Sequence, residues 1–171
     1  ASKLILAAKK ALPVVYTPCV MAGGTVPSTM AGVLTNGLAE SLSGLVLNQN
    51  TREGAPFIMG GVFTVMDMGT TIFSYGSPEF NLLMDALADM AHYLELPMFG
   101  TCGCSDSCIP DEQAGLEASL SILSTAISGP NLNHDVGYVE YGSTASLELL
   151  TICDDIIGMA RRFVRGIKID D

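Results

Sequence analysis

The chain has 171 residues, enough for one domain or at most two small ones, with 49% hydrophobic residues, 15% charged residues and a net charge of −10. Such a composition excludes a disordered tail and a coiled coil, both of which carry more charge and less apolar content. Lys and Arg stand at positions 3, 9, 10, 52, 161, 162, 165 and 168 and nowhere in the 108 residues from 53 to 160, so nucleic acid is excluded as a partner for want of a basic surface to neutralise phosphates.

In chain order, residues 3–12 read as the tail of a helix. The β-branched run 13–20 ends in small residues at 21–24, and a helix is expected to start near Ser28, after Pro27. A second run, 56–61, ends in Gly60-Gly61 and is followed by a long loop over 62–76. Ser77, Pro78 and Glu79 read as N-cap, N1 proline and first-turn acid. The helix they open places Phe80, Leu83, Met84, Leu87, Ala91 and Leu94 on one face. The third run is 97–103, and a helix from about 110–112 runs to Ser128, with Gly129-Pro130 as its stop. The fourth and weakest run is 131–137. The last helix is expected from about Ser143, with Leu149, Ile152, Ile156, Met159 and Phe163 on one face. Arg161, Arg162 and Arg165 lie at its C-terminal end, where they complement the dipole.

The first three runs begin 43 and then 41 residues apart, and the fourth 34 residues later. Each of the first three opens on a proline, which a strand tolerates at its first residue because the missing N–H lies outside the ladder. Alternation of this kind predicts an α/β fold with a parallel sheet and crossover helices. The two candidates are a closed (β/α)8 barrel, of which four βα units would be half, and an open doubly wound sheet. No G-x-G-x-x-G joins a strand to its helix. The beginning at Ala1 and the extended ending at 169–171 read as residues 1–171 of an internal fragment of a longer chain.

The apolar excess raises a membrane span, which needs ~18 or more apolar residues with few breaks. The most apolar helical stretch, 30–47, is broken by Thr35, Asn36, Glu40, Ser41 and Ser43, so the reading is a deeply buried α/β architecture with no membrane span. The five cysteines, an odd number in apolar contexts or one Gly-rich loop, read as thiols of a reducing cytoplasm rather than a secreted disulfide framework.

Four places put polar groups after strand ends. Thr25 and Ser28 lie in the first, either a plain Gly-rich turn or a site of close ligand approach. Asp67, between Met66 and Met68, either holds a cation or caps local N–H groups. In the third, Cys102, Cys104 and Cys108 could join His134 in a zinc site, although C-x-C-x3-C lacks the usual knuckle spacing. Ser105 and Asp106 in the same loop fit ligand binding. The fourth gathers His134, Asp135, Tyr138, Glu140 and Tyr141, either a cation-binding wall or a satisfied histidine among solvated acids. His92 reads as a surface or packing residue.

Several long motifs in order, at 99–107, 111–118, 133–138, 146–150 and 154–162, preceded by 27–32 and 74–79, closely resemble the trimethylamine methyltransferase family across essentially all 171 residues. The resemblance implies a TIM barrel that moves a methyl group from a methylated amine to the Co(I) of a corrinoid on a separate partner protein. It implies no metal held by the chain itself, and a homo-oligomer. Family members of methanogens carry pyrrolysine near the Gly-Cys-Ser-Asp-Ser loop, where Cys104 stands here. Relatives without it use quaternary amines such as glycine betaine. Many relatives have Lys where this chain has Cys108. On this reading Cys104, Asp106, His134 and Glu140 form the catalytic set and Asp67, Ser105, Asp135 and Tyr138 the substrate-binding set. Asp106 or Glu140 would face the ammonium, and His134 and Tyr138 would shape the pocket. The residues agree in one respect: a quaternary ammonium needs acids and aromatic faces and no nearby Lys or Arg. Two other readings stay open, a non-catalytic binding or scaffold barrel and a metal-dependent hydrolase or lyase built on the Cys102, Cys104 and Cys108 cluster.

Overall fold

The structure, a computed structural model, describes residues 1–169. Helix α1 (Ser2–Lys9) leads into strands β1 (Val14–Tyr16) and β2 (Cys19–Ala22), then α2 (Met30–Thr51), β3 (Phe57–Gly60) and β4 (Val62–Val65). After α3 (Pro78–Tyr93) come β5 (Met98–Thr101), α4 (Glu112–Ser128) and β6 (Leu132–His134). A short antiparallel hairpin, β7 (Tyr138–Val139) and β8 (Thr144–Ala145), precedes α5 (Leu147–Val164). The last two residues of the extended segment expected at 169–171 lie outside the described residues.

Strands β1, β3, β5 and β6 form one parallel sheet in that order, so each crossover steps to the next position without reversal. β2 and β4 form a second parallel pair. It continues the first: Val14 faces Phe57 and Cys19 faces Val62 at the same offset. The first run, prolonged to Ala22, and the second, prolonged to Val65 into the expected loop, are thus each one strand broken by a kink. Pro18, which cannot donate, sits at one break, and its carbonyl accepts from Val62 N–H at 2.9 Å. Gly60 and Gly61 form the other. A Cβ on Gly60 would lie 2.5 Å from Thr17 Cγ2, and one on Gly61 would lie 2.7 Å from Phe63 Cε1. Gly60 permits close approach of the first strand and Gly61 makes room for Phe63 and Leu87; they do not end a strand ahead of a loop as the sequence suggested. The expected 62–76 loop accordingly shortens to 66–76, closed by an antiparallel bridge between Met66 and Phe73.

The caps explain where the helices begin. Ser77 and Asp111 accept from Phe80 N–H and Ala114 N–H, and Gly129 ends α4 at φ 71°. The N-cap of α2 is Thr29, one residue past Ser28. Helix α5 starts at Leu147, capped by Ser146, and not near Ser143, because Thr144 and Ala145 pair with Val139 and Tyr138 first.

Uniform steps with right-handed crossovers put the helices on one face of the sheet. Successive helices accordingly pack side by side, α1 on α2 through to α4 on α5. One core joins Phe57, Met59, Phe63 and Met98 of the sheet to Phe80, Leu83, Leu87 and Ala91 of α3, so the predicted α3 face is the buried one. A second joins Ala114, Ala118 and Ile122 of α4 to Leu149, Cys153 and Ile156 of α5. On the sheet's other face the alternating residues Val15, Ile58 and Phe99 are only half-buried. Helix α2 corrects one expectation. At 22 residues it is, by length and composition, long and apolar enough to cross a membrane, despite its polar breaks. Here it packs on α1, α3 and strands β2 to β4.

Candidate functional site

The loop after β5 and the segment after β6 are zipped together by their backbones. Cys102 N–H donates to His134 O at 3.2 Å, Gly137 to Gly103 at 2.8 Å, Ser105 to Tyr138 at 2.9 Å and Glu140 to Ser107 at 2.7 Å. This ladder extends the β5–β6 pairing beyond the strand ends and carries most of the sequence-predicted residues into one place. Asp135 at φ 66° and Glu140 at φ 53° take the left-handed conformation there, a mild strain of the kind that collects at functional sites.

The imidazole of His134 is fixed on three sides. Its ring stacks on Phe99, with centroids 4.5 Å apart and planes 10° from parallel. Nδ1 lies 2.6 Å from Asp135 Oδ1 and Nε2 lies 3.0 Å from Thr101 Oγ1. The other oxygen of Asp135 accepts from the Tyr75 hydroxyl at 3.2 Å. Tyr75 is buried, edge-on to Phe73 and Phe80 at 5.2 and 5.1 Å. Burial and the Asp135 charge push its phenol far above the ordinary range.

Asp106 is bound by the same loop that carries Tyr75. Its Oδ1 accepts from Tyr75 N–H at 2.7 Å and its Oδ2 from the Ser74 hydroxyl. Glu117 of α4 accepts from Ser105 Oγ at 2.6 Å, from Asp106 N–H at 2.9 Å and from Gln113 Nε2 at 2.8 Å. Cys104 is fully buried beside these acids. Burial first, then the charges of Asp135 and Asp106, hold its thiol well above the ordinary range, so it is a protonated thiol at neutral pH.

The structure therefore brings together Cys104, Ser105, Asp106, His134 and Asp135. Tyr138 joins through its carbonyl, with its side chain exposed. Glu140 joins through its N–H, while its exposed carboxylate accepts from Thr144 Oγ1 at 2.7 Å, which lowers its pKa. Asp67 lies exposed on its own turn and accepts from Gly69 N–H at 2.7 Å, a bond that lowers its pKa. That is the local capping left open by the sequence. The zinc alternative fails on geometry. Cys102 is packed in the second core, Cys108 is exposed, and among the described residues no three His, Cys, Asp or Glu side chains gather as ligands would.

Sequence reasoning missed Ser74, Tyr75, Thr101 and Glu117 as parts of this network. Ser74 and Tyr75 lie 32 and 31 residues from Asp106, and Tyr75 lies 60 from Asp135, and both look like ordinary loop residues. Glu117 left one signal: it shares the small-residue side of α4 with Ala114, Ala118 and Ser121, where a solvated acid would not be expected.

Comparison with known proteins agrees with the motifs. The sequence model of the trimethylamine methyltransferase family matches residues 1–171. Trimethylamine methyltransferase MttB of Methanosarcina thermophila is 37% identical over 168 residues, 98% of this chain and 35% of that protein. The protein of the same name from Desulfitobacterium hafniense is 35% identical over 172 residues, 100% of this chain and 35% of its own length. A glycine betaine methyltransferase of the same species is 33% identical over 159 residues, covering 92% of this chain and 33% of that protein. The chain thus spans about a third of the length of the curated relatives it matches. With a family match over its whole length and motifs that converge on one network, the chain belongs to the trimethylamine methyltransferase family.

Proposed function

We propose that this chain is the substrate-binding half of a TIM barrel that presents a methylated amine, with a quaternary ammonium preferred, for methyl transfer to a corrinoid protein. The unreversed strand order supports a barrel over a doubly wound sheet, whose order would reverse at a switch point. One observation carries the ligand class: Asp106 and Asp135 gather beside Tyr75 and His134 with no Lys or Arg anywhere from 53 to 160 to neutralise them. Hydrogen bonds stabilise these carboxylates without cancelling their charge. A cation with methyl groups, attracted by acids and at home against aromatic faces, is the matching ligand. Relatives named for trimethylamine and for glycine betaine support the same class.

A corrinoid on a partner protein would supply the Co(I) nucleophile that accepts the methyl group. The residues at hand suit an external acceptor. Cys104, buried beside the acids, is kept as a thiol by its burial and does not compete for the methyl group. Met68, Ile72 and Phe73 on the loop of Tyr75, and Ile109 after the loop of Asp106, are exposed apolar side chains. They would form the rim against which a flat macrocycle and its protein rest. The chain's own part is then positioning and electrostatics: Asp106 and Asp135 hold the ammonium, His134 and Tyr138 shape the pocket, and Glu140 stands at its outer edge. The five free thiols suit a reducing cytoplasm.

The test is titration of the full-length protein with glycine betaine and trimethylamine, comparing Asp106→Asn and Glu140→Gln with the parent. Loss of a carboxylate facing the ligand should weaken binding by ~1–3 kcal/mol. Binding and demethylation at parental levels in both variants would remove the cation site from this mouth.

A further inference from the structure

The acid assigned above to the ammonium, Asp106, does not hold its own place. Its loop is anchored from below by Glu117, one turn and a half into α4. One carboxylate oxygen takes both the Ser105 hydroxyl and the Asp106 N–H, and the other takes Gln113. From above, Gly76 closes on the same carboxylate: a Cβ there would lie 2.3 Å from Glu117 Cδ. Gly76 directly follows Tyr75, whose N–H and hydroxyl bind Asp106 and Asp135. A single buttress on α4 therefore touches both loops of the site.

We propose that Glu117 is a positioning residue that sets the Asp106 carboxylate and the Ser74–Tyr75 strap against each other, and that Gly76 is glycine to admit it. The proposal rests on Asp106 facing the ammonium, and Glu117 acts only through it. Glutamate is suited to the task because a carboxylate accepts several hydrogen bonds at once, including two at one oxygen. Glutamine preserves the geometry in part: its carbonyl oxygen accepts from Ser105 and Asp106 while its amide donates to a flipped Gln113.

The experiment uses the full-length protein and two readouts. The first is calorimetric titration with glycine betaine and tetramethylammonium in a double-mutant cycle of Glu117→Ala with Asp106→Asn. Glu117→Ala should weaken binding about tenfold in the parent and add little in the Asp106→Asn background, as expected of residues coupled in one network. Glu117→Gln should stay within about twofold of the parent, since it keeps the acceptor. Equal losses in both backgrounds would reveal a general structural defect and overturn the proposal.

The second readout is amide hydrogen exchange of peptides covering 74–76 and 105–107. Both should exchange faster in Glu117→Ala and keep parental protection in Glu117→Gln; unchanged protection in Glu117→Ala overturns the proposal. If Glu117→Ala does not fold, Gly76→Ala replaces it, because it keeps Glu117 and displaces its carboxylate. Should Asp106→Asn by itself leave binding at the parental level, the cation reading fails separately, and exchange alone decides whether Glu117 positions the two loops.

Discussion

Asp106 and Asp135 each have both oxygens engaged by protein donors, and Tyr75 serves both acids, one through its N–H and one through its hydroxyl. This is how two acids persist near one another without a Lys or Arg partner: each charge is spread over fixed dipoles. A methylammonium approaching to ~4 Å would gain about 4 kcal/mol per carboxylate at an effective dielectric of 20, before desolvation reduces it. The ring that carries the Tyr75 hydroxyl is held edge-on by Phe73 and Phe80. Tyr75→Phe keeps those ring contacts and removes the hydrogen bond, so urea unfolding should show a loss of about 1–2 kcal/mol at neutral pH. The pH dependence follows from its raised pKa. The phenol's contribution is complete below the ordinary value of 10.0 and falls as pH rises above it, because the unfolded phenol ionises first. The phenylalanine variant should therefore lose less stability than the parent between pH 10 and 12. A parallel decline in both would show that Tyr75 is not the group responsible.

At the scale of elements, glycine decides how closely helices lie on the sheet. Gly37 of α2 receives the ring of Phe63, whose Cζ would be 2.2 Å from an added Cβ, and Gly44 receives Tyr16 in the same way. Phe63 is fully buried in the core, where its ring has little room to retreat. Gly37→Ala should lower stability by about 1–3 kcal/mol, since overpacking outweighs the helix propensity gained. Gly158, exposed in the middle of α5 with nothing near its missing Cβ, is the matched control. Gly158→Ala should stabilise by about 0.5–1 kcal/mol. Thermal melts of the two variants moving in the same direction would contradict this account of α2. The same contacts explain why α2 can be apolar enough for a membrane and still sit on a sheet: its small residues face aromatic rings in the core.

The whole molecule exposes more surface than its mass calls for. The accessible area is 9496 Å², whereas a folded monomer of 17.9 kDa ordinarily exposes about 8,000 Å². The excess, roughly 1,500 Å², is about twice the ~800 Å² that one partner buries in a standard protein interface. It fits a sheet with β1 and β6 as free edges and with Val15, Ile58 and Phe99 half-covered on the face away from the helices. Residues 1–171 expressed alone should therefore self-associate, as seen by light scattering after size exclusion, and should lack methyl transfer. A monodisperse, fully active monomer would contradict the half-barrel reading.

Local chemistry was enough for the sequence to determine the alternation of helices with parallel strands, the cap at Ser77, the start of α4 near 110–112, the stop at Gly129 and the buried face of α3. Caps, breakers and periodicity act within a few residues, and the chain states them directly. The sequence also carried the family resemblance and the stretch from 53 to 160 without Lys or Arg on which the proposed cationic ligand rests. Tertiary structure alone decided the rest. It carried the first two runs past Pro18 and Gly61 to Ala22 and Val65, because only pairing with a neighbouring strand shows that they continue beyond those breaks. It delayed α5 to Leu147, because Thr144 and Ala145 found partners in β7. It turned Asp67 to its own turn, dispersed the cysteines and brought Ser74, Tyr75 and Glu117 to Asp106. Those contacts join residues many positions apart, and no spacing rule along the chain encodes a distance that only folding closes.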